Sequence, residues 1–270
     1  MVVQHNVTAM NANRQLGITT GIQAKSSEKL ASGYKINRAA DDAAGLAISE
    51  KMRRQIRGLT QSSANAQDGI SMAQTAEGAL NEVHDMLQRM NELANKAATG
   101  TLTSDDRSYI QQEVDALASE IDRTANDTKF NELDLLNSSA TSYDIQVGAD
   151  NGQTITITMK SMKASDLSVA SLDVGSQAGA SSAIASIKSG IDTLSSMRAD
   201  LGAVQNRLEH TVKNLDNVVE NTQAAESQIR DTDMASEMVK YSNNNILAQA
   251  GQSMLAQANQ TNQGVLSLLG

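Results

Sequence analysis

The chain has 270 residues with no Pro, Cys or Trp, one Phe and four Tyr, and its formal net charge is −9. Without cysteine, disulfide frameworks and thiolate metal sites are excluded, and no run of about 20 apolar residues is present to span a bilayer. So few aromatics leave Leu, Ile, Val, Met and Ala to build the core, and closely packed helices suit those side chains.

The opening residues, Met1-Val-Val-Gln-His-Asn, lack a basic region followed by an apolar block, so no cleavable secretory signal is expected. From about 4 to 32 the chain carries Val7, Met10, Ile18, Ile22 and Leu30 among polar residues, which predicts a helix with a thin apolar stripe. Gly33 and Tyr34-Lys-Ile-Asn-Arg interrupt it, and Asp41 or Asp42 is placed to cap the next helix. That helix carries the strongest periodicity in the first half. Met52, Leu59, Ala66, Ala73, Leu80, Leu87 and Ala94 recur every seven residues. A companion row begins at Ile56 and Ile70 and shifts one place to Ala76, Val83, Met90 and Ala97. Two such rows make a packing seam, and 50 or so helical residues would extend roughly 75 Å.

Gly100 and the following Thr101-Leu-Thr-Ser-Asp-Asp predict a turn, with Thr103 and Asp106 spaced as a capping pair for a shorter helix bearing Ile110, Val114, Leu117 and Ile121. Over residues 143–159 the period changes to two. Tyr143, Ile145 and Val147, then Ile155, Ile157 and Met159, alternate with polar residues around Gly148-Ala-Asp-Asn-Gly, which predicts a β-hairpin. The Asp150-Asn151-Gly152 triplet lacks the remaining ligands of a calcium loop and reads as turn chemistry. Residues 174–182, rich in Gly, Ser and Ala, are expected to form a linker or surface loop. A second long helix follows, with Ile187, Leu194, Leu201, Leu208, Leu215, Thr222 and Ile229 in one row and Ile184, Ile191, Val212 and Val219 in another. The tail from about 232 reads as a weakly apolar helix until its last six residues, where Val265, Leu266, Leu268 and Leu269 cluster as a candidate polymerisation tail. Both ends are too poor in apolar side chains to order alone, so they are expected to fold together or against other subunits.

No chemistry emerges from this pattern. His5, His84 and His210 are far apart without ligand-type spacing, so no metal site and no cofactor are expected. No nucleophile elbow, phosphate loop or dinucleotide fingerprint is present, and Asp41-Asp42 and Asp105-Asp106 are explained as helix starts. Residues 1–60 hold nine Lys/Arg and four Asp/Glu, with the excess acid elsewhere. Lacking a nucleic-acid-binding motif, that basic end is read as complementary to acidic protein surface. The fold class is mainly α, long antiparallel helical rods and coiled-coil termini with a small β-hairpin, and the protein is expected to be structural rather than an enzyme.

Specific strings then identify a family. Lys29-Leu-Ala-Ser-Gly, Ile36-Asn-Arg-Ala-Ala-Asp-Asp-Ala-Ala-Gly, Ile56-Arg-Gly-Leu-Thr and Asn65-Ala-Gln-Asp-Gly-Ile-Ser-Met-Ala-Gln-Thr resemble the N-terminal region of bacterial flagellin. Asp200-Leu-Gly-Ala-Val-Gln-Asn-Arg-Leu and Leu255-Ala-Gln-Ala-Asn-Gln resemble its C-terminal region. The resemblance implies an inner D0 layer from residues 1–35 and 236–270, connecting segments at 36–44 and 231–235, and a D1 rod from 45–230, without large variable outer domains. It implies export through the flagellar type III machinery with an export chaperone, growth beneath a cap protein, and an extracellular homopolymeric filament serving motility. It further implies that the monomer is a ligand of host Toll-like receptor 5. The matching receptor-contact positions are Gln88, Arg89, Glu92 and Leu93, with Glu113 on the adjacent helix. Arg89 and Glu113 would supply charge-assisted contacts and Leu93 an apolar anchor. The first residues, Val2-Val-Gln-His, and the final Gly270 depart from the enterobacterial pattern.

Overall fold

The computed structural model describes residues 6–137 and 141–269, with side chains to residue 260. Its helices are α1 (Val7–Ser32), α2 (Ala43–Ala97), α3 (Ser104–Asp127), α4 (Gln177–Arg230) and α5 (Met234–Leu269). Its strands are β1 (Lys129–Phe130), β2 (Leu133–Asp134), β3 (Thr141–Gln146) and β4 (Thr154–Met159). The chain divides into two compact units, Met1–Arg54 with Asn221–Gly270, and Gln55–Glu220. Helices α2 and α4 contribute to both.

The helix ends follow local chemistry. Asn6 accepts the Ala9 amide at 3.0 Å and opens α1, which stops at Gly33 in the left-handed region, φ 76°. Of the two expected capping aspartates, Asp42 accepts the Gly45 amide at 2.9 Å, while Asp41 folds back onto the amides of Arg38 and Asn37. Those amide contacts, the Arg38 one foremost, hold the Asp41 carboxyl below its usual range. Thr103 and Asp106 form a reciprocal capping box at α3, and the Thr103 hydroxyl lowers the Asp106 pKa.

In the larger unit, both long heptad rows turn inward. Leu80, Leu87 and Ala94 on α2 meet Ile187, Leu194 and Leu201 on α4 in one buried core, which α3 completes through Ile110, Val114 and Ile121. The hairpin expected over 143–159 is present, with Tyr143 opposite Ile157 and Ile145 opposite Ile155 in antiparallel register. Its alternation puts Ile155, Ile157 and Met159 in the core.

Three features of this unit differ from the sequence expectation. A second, smaller hairpin pairs β1 with β2 through Asn131 and Glu132, both with positive φ (48° and 66°). That is the backbone of a tight hairpin turn without the usual Asn-Gly pair. Next, residues 160–176 have no long element yet bury Met162, Leu167, Val169, Leu172 and Val174. Side chains of α3 pin this segment: Asp122 accepts the Ala164 amide at 2.8 Å, and Gln111 accepts the Val174 amide at 2.7 Å while donating to the Leu172 carbonyl at 2.8 Å. Gly190 lets it approach α4, because a Cβ there would stand 3.0 Å from the Leu167 carbonyl oxygen. Finally, 174–182 is not a linker throughout. Helix α4 starts at Gln177 with Ala180 fully buried, since Ala favours helix and permits close packing once a neighbour covers it.

In the other unit, α1 and α5 pair antiparallel. Asn6 donates to the Ala258 carbonyl at 2.9 Å at one end, and Ser26 donates to Glu237 at 2.6 Å nearer the other. The side of α1 covered by α5 runs through Ala9, Ala12, Leu16, Thr19, Gln23, Ser26 and Leu30 in steps of three and four. The apolar stripe expected to pack is mostly on the outside. Val7, Met10, Ile18 and Ile22 are all exposed, and only Leu30 joins the covered face.

Candidate functional site

Two surfaces bear on function. The first is the groove where α2 passes α3. Arg89, Glu92, Leu93 and Lys96 from α2, with Tyr109, Ile110 and Glu113 from α3 and Leu102 and Asp106 at its end, line a cleft of about 600 Å³. The heptad seam turns Leu87, Met90 and Ala94 into the core, which leaves Arg89 and Glu92 outside it. Arg89 donates through Nε to Glu113 at 3.0 Å and through Nη1 to Glu92 at 3.1 Å. These bonds, Glu113 first, raise the Arg89 pKa further above its already high value. Gln88 lies beside it, exposed, 3.3 Å from the His84 ring. Four of the five positions expected to form a recognition surface are therefore together and exposed. Leu93 differs: it is 3% exposed and forms the floor of the groove, so its side chain holds α2 against α3. The cluster offers a fork of charge-assisted donors over an apolar base, which suits binding; it contains no nucleophile paired with a base.

The second is a set of exposed apolar side chains spread around the α1–α5 pair. On α1 it comprises Val7, Met10, Ile18 and Ile22, and on α5 Met234, Met238, Val239, Ile246, Leu247 and Met254. Large exposed hydrophobes at this density mark a contact surface. Beneath it, Glu237 is 6% exposed. The Ser26 hydroxyl, with Lys240 at 3.4 Å and the more distant Lys29, lowers its pKa. Sequence reasoning missed this buried carboxylate, because Glu237 near the start of a helix reads as a solvated capping residue. The candidate tail residues Val265, Leu266, Leu268 and Leu269 fall within α5, but their side chains lie outside the described residues.

Where the chain turns from α1 to α2 and from α4 to α5, the two connecting strands are joined. Tyr34 and Asp231 form a β-bridge, Lys35 donates its amide to the Arg230 carbonyl at 2.6 Å, and Thr232 donates to that of Gly33 at 2.9 Å. Arg230 lies over the Tyr34 ring at 4.7 Å and pairs with Glu50 at 2.9 Å.

Among the described residues, no three His, Asp or Glu side chains converge as a metal site, and no helix is long and apolar enough to cross a membrane. Comparison with known families settles the identity. The model of the bacterial flagellin N-terminal helical region matches residues 3–141, and that of the C-terminal helical region matches residues 184–269. The chain belongs to the bacterial flagellins. This is a family of structural proteins, not enzymes. The chain is 52% identical to the flagellin of Halalkalibacterium halodurans over 271 residues, spanning all of both chains. It is 48% identical to the flagellar filament 31.3 kDa core protein of Treponema maltophilum over 287 residues, again spanning both chains. Among solved structures, the crystal structure of Bacillus cereus flagellin is similar, with a TM-score of 0.50 and 30% identity over 56% of this chain and 88% of that one.

Proposed function

We propose that this flagellin is a structural subunit that polymerises with copies of itself into the bacterial flagellar filament, outside the cell, and so serves motility. The observation that carries the reading is the inverted apolar pattern of the α1–α5 pair. A helix pair that stood alone would turn Ile18, Ile22 and Val7 inward; instead the covered face of α1 holds Leu16 and Leu30 among Ala, Thr, Gln and Ser, and Val7, Met10, Ile18 and Ile22 point out. Burying such a surface between copies supplies the driving force that the pair by itself lacks. The match to a protein named for a flagellar filament core supports the same partner. In this reading residues 1–35 and 236–270 act as D0, 36–44 and 231–235 as connecting segments, and 45–230 as D1. Export through the type III machinery with a chaperone, and growth beneath a cap protein, are part of the same proposal, and membership of the family supports them.

The monomer is also proposed as a ligand of Toll-like receptor 5, through Gln88, Arg89, Glu92 and Glu113, with Leu93 fixing the helix that presents them. Support comes from the exposed Arg89–Glu113–Glu92 cluster and its match to the family's contact positions. Electron microscopy of purified protein under polymerising conditions tests the principal reading. Helical filaments are expected; a chain that stays monomeric even on preformed flagellin seeds would overturn it.

A further inference from the structure

The methionines of this chain are sorted by environment. Of twelve in the sequence, Met72, Met90, Met159, Met162 and Met197 are buried in the core of the larger unit. Among the described residues, those with the greatest exposure, Met10, Met234, Met238 and Met254 at 48–67%, all lie on α1 and α5. Met254 additionally borders an open groove beside Thr8 and Ala12 of α1. With no cysteine and no tryptophan in the chain, these thioethers are, among the described residues, the readily oxidised groups most open to solvent.

We infer that Met10, Met234, Met238 and Met254 are modification sites for two-electron oxidants of the peroxide class, and that their sulfoxidation blocks subunit assembly. The inference rests on the proposed polymerisation through the α1–α5 surface. In the step itself, a sulfur lone pair attacks one peroxide oxygen as the O–O bond breaks. An S–O bond forms, sulfur is oxidised by two electrons, and the other oxygen leaves as water after proton transfer. The product is a polar, chiral sulfoxide in place of a flexible apolar side chain. On the free monomer it stays hydrated and costs little. At a contact between copies it must shed water or leave the contact unmade, which weakens association about tenfold for each sulfoxide so placed. The same contact shields the sulfur, so assembly protects against the modification.

The test exposes monomer and filament separately to dilute hydrogen peroxide, quenches the oxidant, maps sulfoxides by peptide mass spectrometry, and measures elongation of treated monomer on untreated seeds. In the monomer the four sites should oxidise before the five buried ones; in the filament they should be slowed. Oxidised monomer should elongate at least tenfold more slowly, and a variant with all four changed to Leu should elongate at the same rate with or without peroxide. Single Met→Gln variants, which mimic the added polarity, should each impair elongation if the Leu variant assembles poorly. Circular dichroism confirms that each monomer remains helical. Fully sulfoxidised parent elongating normally, equal inactivation of the Leu variant by peroxide, or normal elongation of all four Gln variants overturns the inference. If untreated parent forms no filament at all, the filament reading itself fails, and the assembly effect fails with it.

Discussion

Replacing Ile18 and Ile22 together by Ala separates assembly from folding. Both lie on the side of α1 away from α5, 50% and 47% exposed, so the substitution removes few contacts within the monomer. Ala has the higher helix propensity, so α1 should form at least as readily. Full burial of an Ile contributes about 2–3 kcal/mol, and roughly half of that remains to be gained when another copy covers the side chain. The Ala methyl keeps a little of it. The pair should then lose about 2 kcal/mol of association free energy, a rise of roughly thirtyfold in critical concentration. Seeded elongation followed by sedimentation gives the critical concentration, and circular dichroism with thermal unfolding gives the state of the monomer. The expected result is a large rise with an unchanged unfolding curve. A critical concentration within threefold of the parent would refute the idea that this stripe is a contact between copies, and an equal loss of monomer helix would show that the stripe folds the monomer instead.

Removing Val265–Gly270 should abolish polymerisation and leave the thermal unfolding of residues 55–220 unchanged; unimpaired elongation of the truncated chain would rule the tail out as an assembly contact. Glu237 has a lowered pKa, chiefly through the Ser26 hydrogen bond, so its stabilisation of the α1–α5 pair is fully present above the ordinary Glu value and is lost as pH falls through the lowered folded value. Glu237→Gln should flatten that acid dependence, read as amide exchange across residues 7–32, and a parent-like pH profile would assign the effect to other carboxylates. Arg89→Ala should weaken binding of truncated monomer to a soluble Toll-like receptor 5 ectodomain about thirtyfold without loss of helix, whereas unchanged binding would remove Arg89 from the contact. Leu93→Ala should instead lower stability by about 2–4 kcal/mol, because the side chain is buried, and a neutral effect in denaturant unfolding would contradict its place in the core.

Much of this protein was legible from periodicity. The seven-residue rows through Leu80 and Leu194 could face only one way, since a helix keeps residues three and four apart on one side. The alternation Tyr143–Ile145 and Ile155–Ile157 likewise specified the hairpin, and the structure supplies its register. Capping at Thr103 was readable because it depends on residues three apart. The cluster of Arg89, Glu92 and Glu113 owed its recognition to family resemblance, since two residues of one helix and one of another share no local pattern.

What tertiary structure alone decided has a common cause: the deciding contact is distant in sequence. Residues 160–176 bury five large side chains without regular structure, because Asp122 and Gln111 satisfy their amides from α3 and Gly190 leaves room on α4. Leu93 lies at a position compatible with an exposed anchor until Ile110 and its neighbours on α3 cover it. The α1 stripe shows the limit of periodicity most clearly. Sequence located Val7, Ile18 and Ile22 on a helix but could not name what faces them. The fit of Leu16 against Gly251 and the Ser26–Glu237 hydrogen bond bring α5 to the opposite side, leaving the more apolar side free for another molecule.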